Sequence, residues 1–537
     1  MKDVQILDCT LRDGGRIIDC KFEDKTISNI SKDLVSAGID IIEIGFLRDD
    51  SLVEYKGNST FFTEVSQIRP FIPERCNNSK FVAFIDFEMF DFSKLEVCDK
   101  NVLTGIRVGF TKKQFENKKD EIARCLSYVK EQGYELYVQG VNSLGYSDRE
   151  LLDLVDMVNE IQPYSFGIVD TYGAMYLEDI VHIFNVVDYN LDSNICVDIH
   201  SHNNFQSSFA FAQEIVRLAN GKRKIILDAT LNGMGKCAGN LNTELIVDFL
   251  NRKRNSNYDI NLILDTIDRY LYPLKKNNDW GYTIPAFMAG IYKAHPNNII
   301  YLTEKYRLNS RDIKYIISNI EEEKRQQYDY DNIRSIYKKY CEYYIEDSKN
   351  MQTLKSKFTN KHIVILVPGK SIDSCQDDIS AWIKDKDVFV ICVNFIPKNY
   401  QYDYLFFANT IYWEKICDSV KREQCILTSN IHAETEDTLL VNYTDLIVGD
   451  GFLCDNSTIM LLNLLRKLEV KEISLAGFDG LKVGGENYMD ASFPNNGTKD
   501  SVDKVNNEVK KLFLQMKDQM RDKTKIDFIT PSLYEDS

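Results

Sequence analysis

The sequence predicts an α/β protein: a (β/α)8 TIM barrel, then a helical segment, then a second, Rossmann-like α/β domain. Three observations predict it. Short β-branched runs alternate with longer amphipathic ones eight times before residue 255, polar residues collect at the C-terminal ends of those runs, and a new strand–Gly–helix pattern begins at residue 362. At 537 residues the chain is too long for one core, so two domains are expected.

In chain order the expected strands are 4–9, 41–46, 81–86, 105–109, 135–141, 165–170, 196–200 and 225–230. The clearer helical patterns between them are 25–37, 118–132, 147–161, 176–187, 205–220 and 241–251. Gly38 in "SAGID" and Gly133 in "EQGYEL" suit helix C-caps that lead into the next strand. Eight such units suit a closed barrel, and an open doubly wound sheet is the alternative that the pattern leaves. The barrel domain is assigned to 1–290 and a helical extension to 291–348, with the charged run 321–325 as a solvated face. The polar stretch 349–361 reads as a linker, and 362–537 as the second domain. In the latter, "HIVILVPG", "VFVICVNF", "YDYLFFAN", "DLIVG" and "EISLAGFDG" read as buried strands, and "KSIDSCQDDISAWI" as a helix.

A formal charge of −16 argues against a nucleic-acid or anionic-membrane partner, since both need a basic footprint; a local basic pocket for a phosphate or carboxylate remains allowed. Thirteen scattered cysteines without a CxxC pair, no apolar leader at the N-terminus and no run long enough to span a membrane point to a reduced, cytoplasmic protein.

In a barrel the reactive groups sit at the C-terminal ends of the strands. Here the first strand opens into "LDCTLRDGGR", with Asp8, Arg12 and Asp13. The second contributes Glu43, the fifth Gln139 and Asn142, the sixth Asp170 and Thr171. The seventh ends in "DIHSHNN" and the eighth in "DATLNGMGKCAGN". His200 and His202 are two apart, so on a strand they face the same way and both imidazoles reach one ion beside Asp13. Two imidazoles and a carboxylate suit Mn²⁺, put first here, and Zn²⁺, Co²⁺ or Fe²⁺; Mg²⁺ prefers oxygen. A satisfied core histidine is the bland alternative. Arg12 beside a metal would stabilise an enolate oxygen or a carboxylate, or be a structural ion pair with Glu43, or both. Gly233, Gly235 and Gly239 make a Gly-rich loop whose N–H groups would approach an anion, or a plain turn.

"LDCTLRDGG", "HSHNN" and "GMGKCAGNLNTE", in that order, resemble the DRE-TIM metallolyase (HMGL-like) superfamily over about residues 1–290, nearest its 4-hydroxy-2-oxovalerate aldolase branch. The resemblance implies a metal-dependent enzyme that forms or breaks a carbon–carbon bond through an enolate. Asp13, His200 and His202 correspond to metal ligands, and Asn240 to an Asn that approaches the metal. Arg12 corresponds to the catalytic Arg, with Glu43 behind it, and Cys237 to a loop Cys of the lyase branch. Gln139, Thr171 and Gly235 fall on the substrate side. One departure matters: the aldolase branch carries a His soon after the RDG, and here that place is Arg16, which puts the acid–base residue in doubt and suits an anionic substrate. Tyr172 and Tyr282 are weaker candidates.

The second domain is similar to Rossmann-like sialyltransferase-like and pterin pyrophosphokinase-like domains. That similarity implies a nucleotide or nucleotide sugar at the strand ends, near Gly369, Ser371, Asn394, Asn409 and Asp479, with the helix that Ser371 starts offering free N–H groups to a phosphate. Bare turns and caps are the alternative. The leading expectation is a bifunctional enzyme, an oligomer of identical chains, that joins a 2-oxo acid such as pyruvate to an aldehyde or sugar aldehyde in surface-polysaccharide precursor synthesis. A Claisen-type acyl-CoA lyase or synthase is the runner-up. A non-catalytic ligand-binding protein is the third reading.

Overall fold

The β-branched runs of the first half form eight parallel strands: β1 (Val4–Asp8), β2 (Ile41–Leu47), β3 (Lys80–Asp86), β4 (Gly105–Thr111), β5 (Glu135–Val141), β6 (Ser165–Asp170), β7 (Cys196–Ser201) and β8 (Ile225–Ala229). Each pairs with the next, and β8 and β2 both pair with β1, as in Val4 opposite Ile225 and Leu7 opposite Ile41, so the sheet closes into the expected barrel. The computed structural model describes residues 3–535 apart from 54–56, 58, 77, 277, 306–307, 309, 327–329, 342–344, 385, 433–434, 450–452, 484–486 and 490–498.

Strands covered on both faces read as continuous apolar runs. β2 is buried at all of its positions, and the one charged residue among them, Glu43, points into the barrel's ionic interior. The outer layer is α1 (Asp24–Ser36), α2 (Lys112–Glu131), α3 (Asp148–Ile161), α4 (Leu177–Asn190), α5 (Ser208–Ala219) and α6 (Thr243–Arg254). α2 starts six residues earlier than the expected 118, because a capping box of Thr111 and Gln114 nucleates it where apolar periodicity is absent; Lys118 marks a kink.

The chain forms two compact units, 1–300 with 321–329 and 301–320 with 330–537, so the stretch 291–348 does not form one extension. In the second unit, strands β9 (His362–Leu366), β10 (Val388–Val393), β11 (Tyr404–Phe407), β12 (Cys425–Thr428), β13 (Leu439–Val441), β14 (Glu472–Ala476) and β15 (Lys525–Phe528) make one parallel open sheet in the order β13-β12-β11-β10-β9-β14-β15. The order reverses at β9, the switch-point arrangement of doubly wound folds.

Three expectations are corrected. The supposed linker is a helix, Ser348–Phe358, whose Leu354 and Phe358, four apart, are fully buried. "DLIVG" is not a strand: Thr444–Leu446 is a 3-10 turn, and the short strands β12 and β13 were hidden by their length. The helix after β9 breaks at Cys375 into Ser371–Ser374 and Gln376–Ile383. Among the described residues no helix is long and apolar enough to cross a membrane.

Candidate metal centre and active site

β1 runs into a tight turn in which the N–H groups of Arg12, Asp13 and Gly14 all donate to the Cys9 carbonyl. The turn holds Arg12 and Asp13 inward at the mouth of the barrel, both nearly fully buried. β7 brings His200 to the same point, and His202 follows just past its end. The Asp13 Oδ2 lies 3.9 Å from the Nε2 of each histidine, and the two rings stand at 87° with centroids 5.2 Å apart. One ligand atom from each of the three fits within 4.8 Å of the others.

The chemistry of this donor set suits a cation. Burial pushes both imidazoles down to about 4, against the pull of Asp13, so they are neutral at pH 7. The Nδ1 of His200 lies 2.9 Å from Asp228 Oδ2, which fixes the proton there and leaves Nε2 as a lone pair toward Asp13. Burial opposes the charge on Asp13, but Arg12, then His202, His200 and Arg16, hold its carboxyl well below the usual range. Asp13 is therefore an anion facing two neutral nitrogen donors.

The loop after β8 completes the centre. A Cβ at Gly239 would sit 1.9 Å from the Gly233 carbonyl oxygen, so the close crossing at this left-handed position (φ 76°) requires glycine. The N–H groups of Gly233, Gly239 and Asn240 are taken by Thr230, Lys236 and Gly233 carbonyls. These three donors are therefore spent inside the loop, which they close as a clasp. It delivers Asn240, bridged to His202, so that its amide lies 3.0 Å from Asp13 Oδ2 while Oδ1 is buried without a partner. Turning the amide over would present that oxygen to a cation held by Asp13. Gly235 does not line the cavity; a Cβ there would meet the Asn240 amide at 2.5 Å.

Beneath the mouth lies an ionic layer inside the barrel. Arg12 donates from Nε to Glu43 at 2.6 Å and from Nη1 to Asp13 at 2.7 Å, with its guanidinium over the Phe84 ring. Arg107 on β4 is fully buried and bonds Glu43, Asp198 and Asp228 at 3.1, 3.0 and 2.6 Å. Gln139 donates to Asp198 at 2.7 Å. Burial, then the neighbouring Asp228, lifts Asp198 to about 7. Glu43, expected as a catalytic residue, does not line the cavity. Its carboxylate instead accepts from Arg12 Nε and Arg107 Nη1.

Above the metal centre opens a cavity of about 210 Å³, lined by Arg12, Asp13, His200 and His202 and by Gln139 and Thr171, as expected. Arg16, Lys236, Cys237, Tyr172, Asp86 and His295 are also in its wall. Thr171 also accepts the Asn142 N–H at 2.8 Å. Burial lifts the Cys237 thiol to about 12 and Tyr172 to about 12, so both stay protonated at neutral pH. Tyr282 is 52% exposed and does not line the cavity.

Arg107, Asp198, Asp228, Lys236 and His295 were missed as functional positions by sequence reasoning. Asp198 carried a usable signal: it lies two before His200 and therefore on the same inward face. His295 carried none, since it lies in a stretch read as a helical extension.

At the strand ends of the second unit, Asp479 accepts from the Ser371 N–H at 2.8 Å and from its hydroxyl, and that hydroxyl lies 2.9 Å from Thr530 Oγ1. Gly369 packs on the Gly477 backbone. The N–H expected to be open to a phosphate is capped by a carboxylate, which would repel one. Asn394 follows β10 in a left-handed conformation with its Oδ1 buried and unpartnered, and Asn409 caps the helix Thr410–Glu414.

Fold and site together define a (β/α)8 barrel with a carboxylate–imidazole centre at the C-terminal face of its strands. Residues 3–269 match the HMGL-like family model, and the barrel is a member of that family. The 2-isopropylmalate synthase of Sulfurisphaera tokodaii is 27% identical over 267 residues, which are 49% of this chain and 65% of the synthase. The 4-hydroxy-2-oxovalerate aldolase of Geobacillus genomosp. 3 is 24% identical over 334 residues, 58% of this chain and 90% of the aldolase. Among solved structures, the HMG-CoA lyase of Brucella melitensis is similar at 13% identity, over 51% of this chain and all of that one, with a TM-score of 0.42. The chain spans about two-thirds of the length of the synthases that it matches.

Proposed function

We propose that the barrel is a divalent-metal-dependent aldolase that makes or breaks the carbon–carbon bond beside the carbonyl of a 2-oxo acid such as pyruvate. The observation that carries this reading is the convergence of Asp13, His200 and His202 with the Arg12 guanidinium in one small cavity. Asp13, His200 and His202 would hold the cation, with Asn240 beside them. Bound there, it supplies Lewis-acid polarisation of a carbonyl.

The chain's own groups do the rest. Arg12 uses Nε and Nη1 to anchor itself on Glu43 and Asp13, and its Nη2 has no partner among the described residues. A preorganised cation in a water-poor site stabilises the negative charge that develops as a proton leaves carbon 3 of the 2-oxo acid. Gln139 and Thr171 flank the site and orient the acid. Tyr172 and Cys237 stay protonated and so donate rather than accept. His295 is the neutral imidazole of the wall outside the metal ligands, and we assign it the acid–base role that Arg16 cannot fill.

Aldol rather than Claisen chemistry is supported by coverage. The match extends over 90% of the aldolase but leaves a third of the synthase unmatched. The test is exchange of the pyruvate methyl hydrogens in D₂O, followed by NMR on the Mn²⁺-loaded protein, which needs no second substrate. Exchange that disappears in His200→Ala/His202→Ala is expected. Absence of exchange with pyruvate and with longer 2-oxo acids would overturn the reading.

A further inference from the structure

The cavity has more positive charge than a 2-oxo acid can use. Among the charged groups that line it, three are cations, Arg12, Arg16 and Lys236, and two are carboxylates, Asp13 and Asp86. Counting these five side chains alone, the lining carries one net positive charge, to which a divalent ion would add two. The carboxylate of a 2-oxo acid removes one of those.

The surplus is localised. Arg12 is balanced by Glu43 and Asp13. Arg16 is not. Its Nε lies 3.3 Å from Asp13 and its Nη2 3.9 Å from Asp86, whose carboxylate already bonds Arg48. It makes no hydrogen bond to a described residue, so a fork of N–H donors faces the cavity. The Phe46 ring lies 4.7 Å from its guanidinium carbon. The Lys236 ammonium is partly buried and makes no ion pair within 4 Å among the described residues; Asp19 and Asp13 are the acids that act on it from farther away. Arg16 and Lys236 are close enough to act on each other and on His295, so the three form one corner of the wall. Two like charges brought together in a half-buried corner cost free energy unless an anion joins them.

We infer that Arg16 and Lys236 bind an acidic group, a carboxylate or a phosphate, on the second substrate, so that the electrophile is an acidic aldehyde or ketone rather than a neutral one. The inference rests on the aldol reading of the barrel and names its partner substrate. It also explains the departure at Arg16. A guanidinium cannot serve as the acid–base group that a histidine provides at that place, but it recognises an oxyanion with two parallel hydrogen bonds.

The test pairs electrophiles of like size with pyruvate on the Mn²⁺-loaded protein: succinic semialdehyde against pentanal, and glyceraldehyde 3-phosphate against glyceraldehyde. The acidic member of at least one pair is expected to have a kcat/KM roughly ten- to a hundredfold higher, as one charge-assisted contact gives. Lys236→Met and Arg16→Gln should erase that preference through KM, and Arg16→Lys should restore part of it. Independently of turnover, succinate and inorganic phosphate are added to the unloaded protein and its thermal midpoint is read. A rise with either, weakened in Lys236→Met, identifies which acidic group the corner takes. Equal use of neutral and acidic electrophiles, or no thermal response to either anion, would overturn the inference. Pyruvate exchange in D₂O by the unmutated protein reports separately on the aldol reading, so the two fail distinguishably.

Discussion

The barrel mouth and the strand ends of the second unit are built from the same elements, and they differ in how much bonding capacity stays open. Both are parallel sheets with polar side chains gathered where the strands end, the place where α/β folds bind ligands. In the second unit Ser371, Asp479 and Thr530 bond one another, and the Gly477 N–H donates to Thr530. That cluster is closed, and among the described residues the buried Oδ1 of Asn394 at the end of β10 is left unpartnered beside it. In the barrel Arg107, Glu43, Asp198 and Asp228 close a layer beneath, while His200, His202, Asp13 and Arg16 line the cavity. A polar residue at a strand end marks a site only when its neighbours leave some of its bonding capacity unused.

Removing the lower layer should have the largest effect. Arg107→Met leaves Glu43, Asp198 and Asp228 buried without their common cation and should cost roughly 3–5 kcal/mol of stability. Chemical denaturation monitored by tryptophan fluorescence would show this, and an unchanged midpoint would mean that the layer is not what supports the mouth. Asp479→Ala opens the closed cluster of the second unit. It should cost about 1–2 kcal/mol, as the loss of a cap does, without altering metal binding by the barrel. A loss of metal on that substitution would erase the contrast between the two regions.

The third effect appears only in acid and vanishes at neutral pH. Burial, then the charges of Lys236 and Arg16, hold His295 near 4, against 6.5 for a free histidine. The unfolded chain therefore binds more protons than the folded one between pH 4 and 6.5, and stability falls as pH drops through that window. His295→Gln should flatten the slope of thermal midpoint against pH there and leave it unchanged above pH 7. An equal slope in both proteins would mean that His295 is not held neutral by the fold.

The barrel was legible because each strand is an uninterrupted β-branched run that ends in polar residues, and the metal triad because His200 and His202 share a face opposite the Arg12–Asp13 turn. Arg107 was not legible. A lone arginine in "GIRVG" reads as an exposed position, and only closure of the barrel turns that face inward onto three carboxylates from other strands. The glycines of "GMGKCAGN" suggested anion binding, yet what they permit is a backbone crossing at Gly233 and Gly239 that aims Asn240. The helix Ser348–Phe358 was read as a linker because its apolar stripe is only Leu354 and Phe358 wide. Short strands such as β13 hold too few residues for periodicity to register. Local pattern revealed what each element is; which carboxylates share a cation depends on pairs far apart in the chain, and no local pattern carries that.

The central claim is that Asp13, His200 and His202 form one metal centre. Elemental analysis of the purified protein beside His200→Ala/His202→Ala tests it most directly. About one equivalent of Mn, Zn, Fe or Co per chain is expected, absent from the variant while the variant remains folded, since two lost imidazoles leave a single carboxylate ligand. A protein that holds no metal after growth and dialysis in Mn²⁺, or a variant that retains its full equivalent, would contradict it.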